Sequence, residues 1–147
     1  MNFNMGGGMM FARWLLALML AAMASTVWAD VYLKDELIDF NRDAAAGGKG
    51  TLYGQFAFRR DAAKRDEAIK EIGWMTLQPG ASIGFHRHEH NEDTYIIVSG
   101  IGLFTDSDGK SYQVTAGDVT IARKGQSHAL ANIGKEPLVF IDVIAEQ

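Results

Sequence analysis

The chain has 147 residues, 48% of them hydrophobic and 22% charged, the composition of one globular domain with room for a single core. Fourteen basic against 18 acidic residues give a net charge of −4, and the basic residues are scattered rather than gathered into the stripe that phosphate neutralisation requires, which argues against nucleic acid as a partner. There is no cysteine, so disulfides, thiolate nucleophiles, iron–sulfur clusters and a lipoprotein anchor are excluded, and the chemistry must use nitrogen and oxygen ligands.

The N-terminus does not read as part of the fold. Arg13 precedes the uncharged apolar run Trp14 to Ala24, and Ser25 to Ala29 supply small residues with Val27-x-Ala29 at a cut position. The pattern is that of a secretory signal peptide over residues 1–29, cleaved before Asp30, with the mature protein periplasmic or secreted and free of the membrane. The apolar core is shorter than the ~20 residues a spanning helix needs, which disfavours a retained anchor. Gly6-Gly7-Gly8 is unusual for such a segment and leaves Met9 or Met10 as alternative starts.

Residues 30–71 read as an N-terminal extension with the first strands. A short helix or strand is expected around Leu37-Ile38, broken by Gly47-Gly48-Lys49-Gly50. Thr51 to Phe58 alternates and is rich in aromatics, so it predicts a strand. Arg59 to Glu71 is dense in charge and reads as a solvated connection with helical potential rather than a binding patch. From Ile72 the strands come quickly, at 72–78, 82–88, 94–99, 102–105, 111–114, 119–122, 128–132 and 138–144, each bounded by Gly, Pro, Asp or Asn, with Asp108-Gly109 as a hairpin turn. Eight or more short strands at this spacing predict an all-β antiparallel sandwich or barrel.

The chemistry lies in the histidines. In Gly84-Phe85-His86-Arg87-His88 two imidazoles stand two residues apart, and a strand's period of two puts both on one face as a chelating pair. A carboxylate follows within five residues, Glu92 or Asp93, and His128 stands at the start of a later strand. Three imidazoles and one carboxylate suit a divalent transition metal such as Mn, Fe, Co, Ni, Cu or Zn and make a poor cage for Ca or Mg.

Glycines frame these residues. Gly80, His86-x-His88, Asp93 and Gly100, then Gly117, Arg123-x-Gly125, His128 and Asn132, resemble in order and spacing the two motifs of the cupin superfamily. The resemblance covers residues 72–144, with 72–147 as the cupin barrel. It implies a double-stranded β-helix, or jelly-roll barrel, after the N-terminal signal-peptide helix. It also implies one metal held by His86, His88, the acidic residue and His128. The four motif glycines fit turns that need positive φ or close backbone approach. Two departures stand out. The family usually places Glu at the acidic ligand, whereas register with Gly100 favours Asp93, with Glu92 as the alternative. A one-residue slip turns a side chain to the other face, so Asp93 inward brings Tyr95 and Ile97, and Glu92 inward brings Thr94, Ile96 and Val98. Arg123 stands where the family commonly has proline, and reads either as a solvated loop residue or as a cation at the barrel mouth for a substrate carboxylate.

Weaker candidates complete the set. His90 and Tyr95 join Arg123 as candidate catalytic residues, His90 as a proton donor or outer support and Tyr95 as pocket wall. Asn132 is expected to fix a turn or a ligand, while Phe85, Trp74 and Phe140 read as core or pocket wall. The run His86 to Gly100 is similar to small single-domain bacterial cupins described as oxalate-decarboxylase-like. Three functions follow as expectations: a metal-dependent decarboxylase or dioxygenase acting on a small carboxylate or dihydroxy compound, a non-enzymatic module that binds or senses a small ligand or metal, or a barrel whose histidines are relics. The resemblance further implies a homodimer formed through a sheet face or an exchanged strand such as Leu52–Phe58.

Overall fold

A computed structural model describes residues 28–146. The signal-peptide segment falls almost wholly on residues 1–27, outside the described residues. Among the described residues no helix is long and apolar enough to cross a membrane.

Among the described residues ten strands form two antiparallel sheets: β1 (Ile38–Asp43), β2 (Thr51–Phe58), β3 (Ile69–Leu77), β4 (Ser82–Arg87), β5 (Glu92–Ser99), β6 (Ile101–Thr105), β7 (Ser111–Thr115), β8 (Val119–Ala122), β9 (Ser127–Asn132) and β10 (Leu138–Ala145). One sheet has the order β1-β2-β3-β10-β5-β8 and the other β4-β9-β6-β7. This is the expected jelly-roll arrangement, in which strands adjacent in sequence repeatedly switch sheets.

Alternation decides which face each strand buries. Leu52, Gly54 and Phe56 of β2, Gly73, Met75 and Leu77 of β3, Tyr95 and Ile97 of β5, and Leu138, Phe140 and Ile144 of β10 point inward. Leu130 of β9 and Phe104 of β6 meet them from the opposite sheet. Trp74 and Phe85, expected in the core or pocket wall, are instead 45% and 54% exposed. Trp74 lies one residue off the Gly73–Met75 inward face, so the period of two turns it outward.

The segment around Leu37 holds a single 3₁₀ turn (Lys34–Glu36) followed by β1, so both readings of that stretch are realised in succession. The Arg59–Glu71 connection forms turns without a helix, and β3 starts at Ile69, three residues before the expected boundary. β4 ends at Arg87, one residue short. Because β1, β2 and β3 belong to the same sheet as β10 and β5, the barrel begins within the N-terminal extension.

The β1–β2 turn carries the positive-φ residues that are not glycine among the described residues. Ala44 and Ala46 adopt positive φ, +46° and +50°, a strained conformation for a side chain with a Cβ. The turn is held against β4 by Ser82 N–H donating to Lys49 O (2.8 Å) and Lys49 N–H donating to Ser82 Oγ (2.9 Å). A Cβ added at Gly84 would overlap the Ala46 carbonyl oxygen and lie 2.8 Å from the Gly48 nitrogen. The backbones approach this closely only because both positions are glycine. Gly84→Ala is therefore expected to destabilise the protein by about 1–3 kcal/mol, read as a lower urea midpoint; an unchanged midpoint would show that the turn can lift away without cost.

Candidate metal centre

The pairing of β4 with β9 sets His86 directly opposite His128. His88 lies one residue beyond β4 and stays in line because its N–H donates to Gln126 O at 2.9 Å. Asp93 enters from β5 in the other sheet, on the inward face shared with Tyr95 and Ile97. The centre thus bridges the two sheets, with three imidazoles from one side and a carboxylate from the other.

Outward hydrogen bonds orient the rings. His86 Nδ1–H donates to Gly84 O (2.9 Å) and His88 Nδ1–H donates to Asn91 Oδ1 (2.9 Å), which fixes the tautomer and leaves each Nε2 as a bare lone pair aimed inward. Tyr95 stacks on the His128 ring, with centroids 4.9 Å apart and planes at 22°, and Phe104 meets it edge-on. His88 Nε2 lies 3.1 Å from His86 Nε2 and 2.9 Å from His128 Nε2, and Asp93 Oδ2 lies 3.4 and 3.2 Å from His88 and His128 Nε2. All four donor atoms fall within 4.8 Å of one another.

These separations match a shared cation. Two donors each ~2.1 Å from one ion lie ~3.0 Å apart at a right angle and ~3.4 Å apart at the tetrahedral angle. Three imidazole nitrogens with one carboxylate oxygen suit a borderline divalent transition metal, and the residues therefore fit such an ion.

Electrostatics point the same way. Burial, then the nearby His128 and His88, lower the pKa of His86 and favour the neutral, ligating form. Burial raises the Asp93 carboxyl, but the neighbouring His128, Asp142 and His88 outweigh it, so Asp93 stays below the usual carboxylate range. Tyr95 is pushed well above the usual phenol range by burial and by the Asp93 and Asp142 carboxyls, so it remains neutral.

The acidic position is Asp93. Glu92 points to the other face, where its Oε2 accepts from Arg123 Nη1 at 2.7 Å. Arg123 is thereby corrected as a substrate anchor: it follows β8, on the outer side of the sheet, and does not line the cavity over the metal centre. His90 is exposed at the cavity mouth, and Tyr95 forms part of its wall. Asn132 fixes a turn, its Nδ2–H donating to Leu77 O (2.7 Å) and Glu136 O (2.9 Å) while its Oδ1 accepts from Gly134 N–H (2.9 Å).

That cavity has a volume of about 470 Å³ and its lining includes His86, His88 and Asp93. It is also lined by residues not anticipated from sequence, Asp142, Glu71, Arg42, Arg59 and Arg60. Asp142 Oδ1 is sealed from solvent, and burial together with the Asp93 charge pushes its pKa well above the ordinary carboxyl range. Burial and the neighbouring Asp93 carboxylate thus favour the protonated form of Asp142. Burial also raises Glu71, opposed by the Arg60, Arg59 and Arg42 charges. Asp142 stood in an apolar strand, which gave no sign of the site.

A jelly roll with a three-histidine, one-carboxylate cluster between its sheets defines a class of metal-binding barrel. The chain belongs to the cupin family: residues 73–144 match the model of the Cupin domain. It is 36% identical over 98 residues to the oxalate-binding protein of Thermotoga maritima, spanning 67% of this chain and 78% of that protein. It is 30% identical over 76 residues to the oxalate decarboxylase of Bacillus subtilis, spanning 49% of this chain and 20% of that protein. A crystal structure described as a predicted oxalate decarboxylase from Thermotoga maritima superposes with a TM-score of 0.72 at 31% identity, covering 80% of this chain and 100% of that chain.

Two outcomes follow. Protein purified without an affinity tag is expected to carry one equivalent of a divalent transition metal by elemental analysis, retained in Glu92→Ala and lost in His86→Ala and Asp93→Ala. Metal retained in Asp93→Ala would overturn the assignment of the carboxylate. For the metal-free protein, the raised pKa of Asp142 means that folding holds its proton. That contribution is complete below the unfolded value near ~3.9 and is lost as pH rises through the folded value. Asp142→Asn, which needs no proton, is expected to gain stability over wild type as pH rises from 4 to 8, by about 1–3 kcal/mol at the upper end. Urea unfolding across that range measures it, and a constant difference would refute it.

Proposed function

We propose that this cupin binds one divalent transition metal through His86, His88, Asp93 and His128 and takes a small carboxylate such as oxalate into the cavity above it. The observation that carries the reading is the convergence of three imidazoles and one carboxylate, with ligand atoms within 4.8 Å of one another, where His86, His88 and Asp93 line a cavity of about 470 Å³. The names of the oxalate-binding relative and of the oxalate decarboxylase support the ligand class.

When bound, the metal supplies a Lewis acid able to hold a carboxylate and polarise it. The chain's own residues do the rest. Gly84 O and Asn91 Oδ1 hold two imidazoles in ligating orientation. Tyr95, Phe104 and Phe140 exclude water behind His128. Asp142 and Glu71 place carboxyl groups at the cavity wall, and burial, which raises the pKa of each, favours the protonated form able to hydrogen-bond a ligand oxygen.

Capture without turnover is the second reading, favoured by the name of the Thermotoga maritima relative, an oxalate-binding protein. Export is part of the proposal, supported by the charge-free run after Arg13 and the small residues before Asp30. So is a homodimer, supported by the half-exposed Trp74, Ile96, Val98, Val119 and Ile121 on the outer face of the six-stranded sheet.

Calorimetric titration of oxalate into the metal-loaded protein tests this directly. Saturable binding is expected, abolished by chelation or by His86→Ala, with formate or carbon dioxide appearing only if the cavity also turns the acid over. Equal binding to the metal-free protein would sink the reading.

A further inference from the structure

Three arginines face the cavity with no acidic partner close at hand. Among the described residues, no carboxylate lies within 4.0 Å of the guanidinium groups of Arg42, Arg59 or Arg60. Glu89, which shares the mouth, is already matched by Arg87 at 3.1 Å. Glu71 feels all three arginines and Glu146 also lines the cavity, so two carboxyls stand against three permanent cations.

Two of these cations are fixed in place. Arg42 follows Phe40 by two residues on β1, so both project to the inward face, and its guanidinium sits 5.0 Å from the Phe40 ring centroid. Arg59, immediately after β2, sits 5.2 Å from the same ring. Phe40 is itself anchored edge-on against the buried Phe56, with centroids 5.3 Å apart. Cation–π contact restrains both side chains while leaving their N–H donors unused, which is the state in which a guanidinium fork takes an oxyanion at least entropic cost.

The cavity therefore has two anion-seeking regions, the metal centre at its floor and the Phe40-mounted arginines at its rim. A volume of about 470 Å³ lies within the ~300–1,000 Å³ of ordinary small-molecule sites and is far larger than a two-carbon acid needs. We propose that the preferred ligand is longer than oxalate and carries a second, terminal oxyanion, with one carboxylate at the His86, His88, Asp93 and His128 floor and the other, a carboxylate or phosphate, held by Arg42 and Arg59. The inference rests on the reading that the metal floor takes a carboxylate.

The test is calorimetric titration of metal-loaded protein with oxalate, with butyrate, with the four-carbon diacids succinate and malate, and with phosphoglycolate. Wild type is compared with the Arg42→Gln/Arg59→Gln double variant. A diacid or phosphoglycolate is expected to bind wild type at least ~10-fold tighter than butyrate, as a charge-assisted contact predicts. The variant is expected to lose that preference while its oxalate affinity changes less than ~2-fold and its metal content stays at the wild-type level. Phosphoglycolate binding tighter than the diacids assigns the rim to phosphate, and the reverse assigns it to carboxylate. Oxalate binding with no preference for the longer acids, or a preference that survives in the variant, overturns the inference and leaves the floor reading standing. Failure of wild type to bind any of these acids, oxalate included, overturns both.

Discussion

The bare Nε2 lone pairs of His86 and His88 face each other at 3.1 Å, with His128 Nε2 2.9 Å from His88, and in a buried site their repulsion is not screened by water. The fold holds them there. Pairing of β4 with β9 fixes the His86–His128 contact, the Gln126 carbonyl holds His88 in line, and the second sheet brings a carboxylate to the same point. Outward Nδ1–H bonds at His86 and His88 deny those rings the rotation that would relieve the conflict. A cation resolves it, which is why the centre reads as a ligand set and not as three satisfied core histidines.

The chelating pair was legible because its geometry is local. Two histidines two apart in a strand must share a face, and the glycine spacings placed Asp93 and His128 in register with them. The choice between Asp93 and Glu92 was harder, because Tyr95 and Ile97 on one face and Thr94, Ile96 and Val98 on the other would line an interior equally well. The structure buries the first set and pairs Glu92 with Arg123 outside.

What could not be read is what depends on assembly across the sheet. Asp142 reaches Asp93 only because β10 lies beside β5, with Asp142 opposite Tyr95, a pairing between strands far apart in sequence. Arg59 and Arg60 stood in a charge-dense connection whose bland reading was solvation, and only the β1-β2-β3 order of the sheet brings them to the cavity. The left-handed turn at Ala44 and Ala46 lacked glycine at either residue and so carried no local signal.

The cavity is built from two unlike parts of the framework. Its floor comes from β4, β5 and β9, strands drawn from both sheets, where ring contacts and hydrogen bonds hold the imidazoles. Its rim comes from the edge strand β1, the strained turn after it and the connection between β2 and β3. Turns and connections accept substitution and length change that paired strands do not. In descent from a common ancestor, the reactive centre and the entrance are therefore free to diverge at different speeds, so that relatives can inherit one chemistry while sorting themselves by what they admit to it.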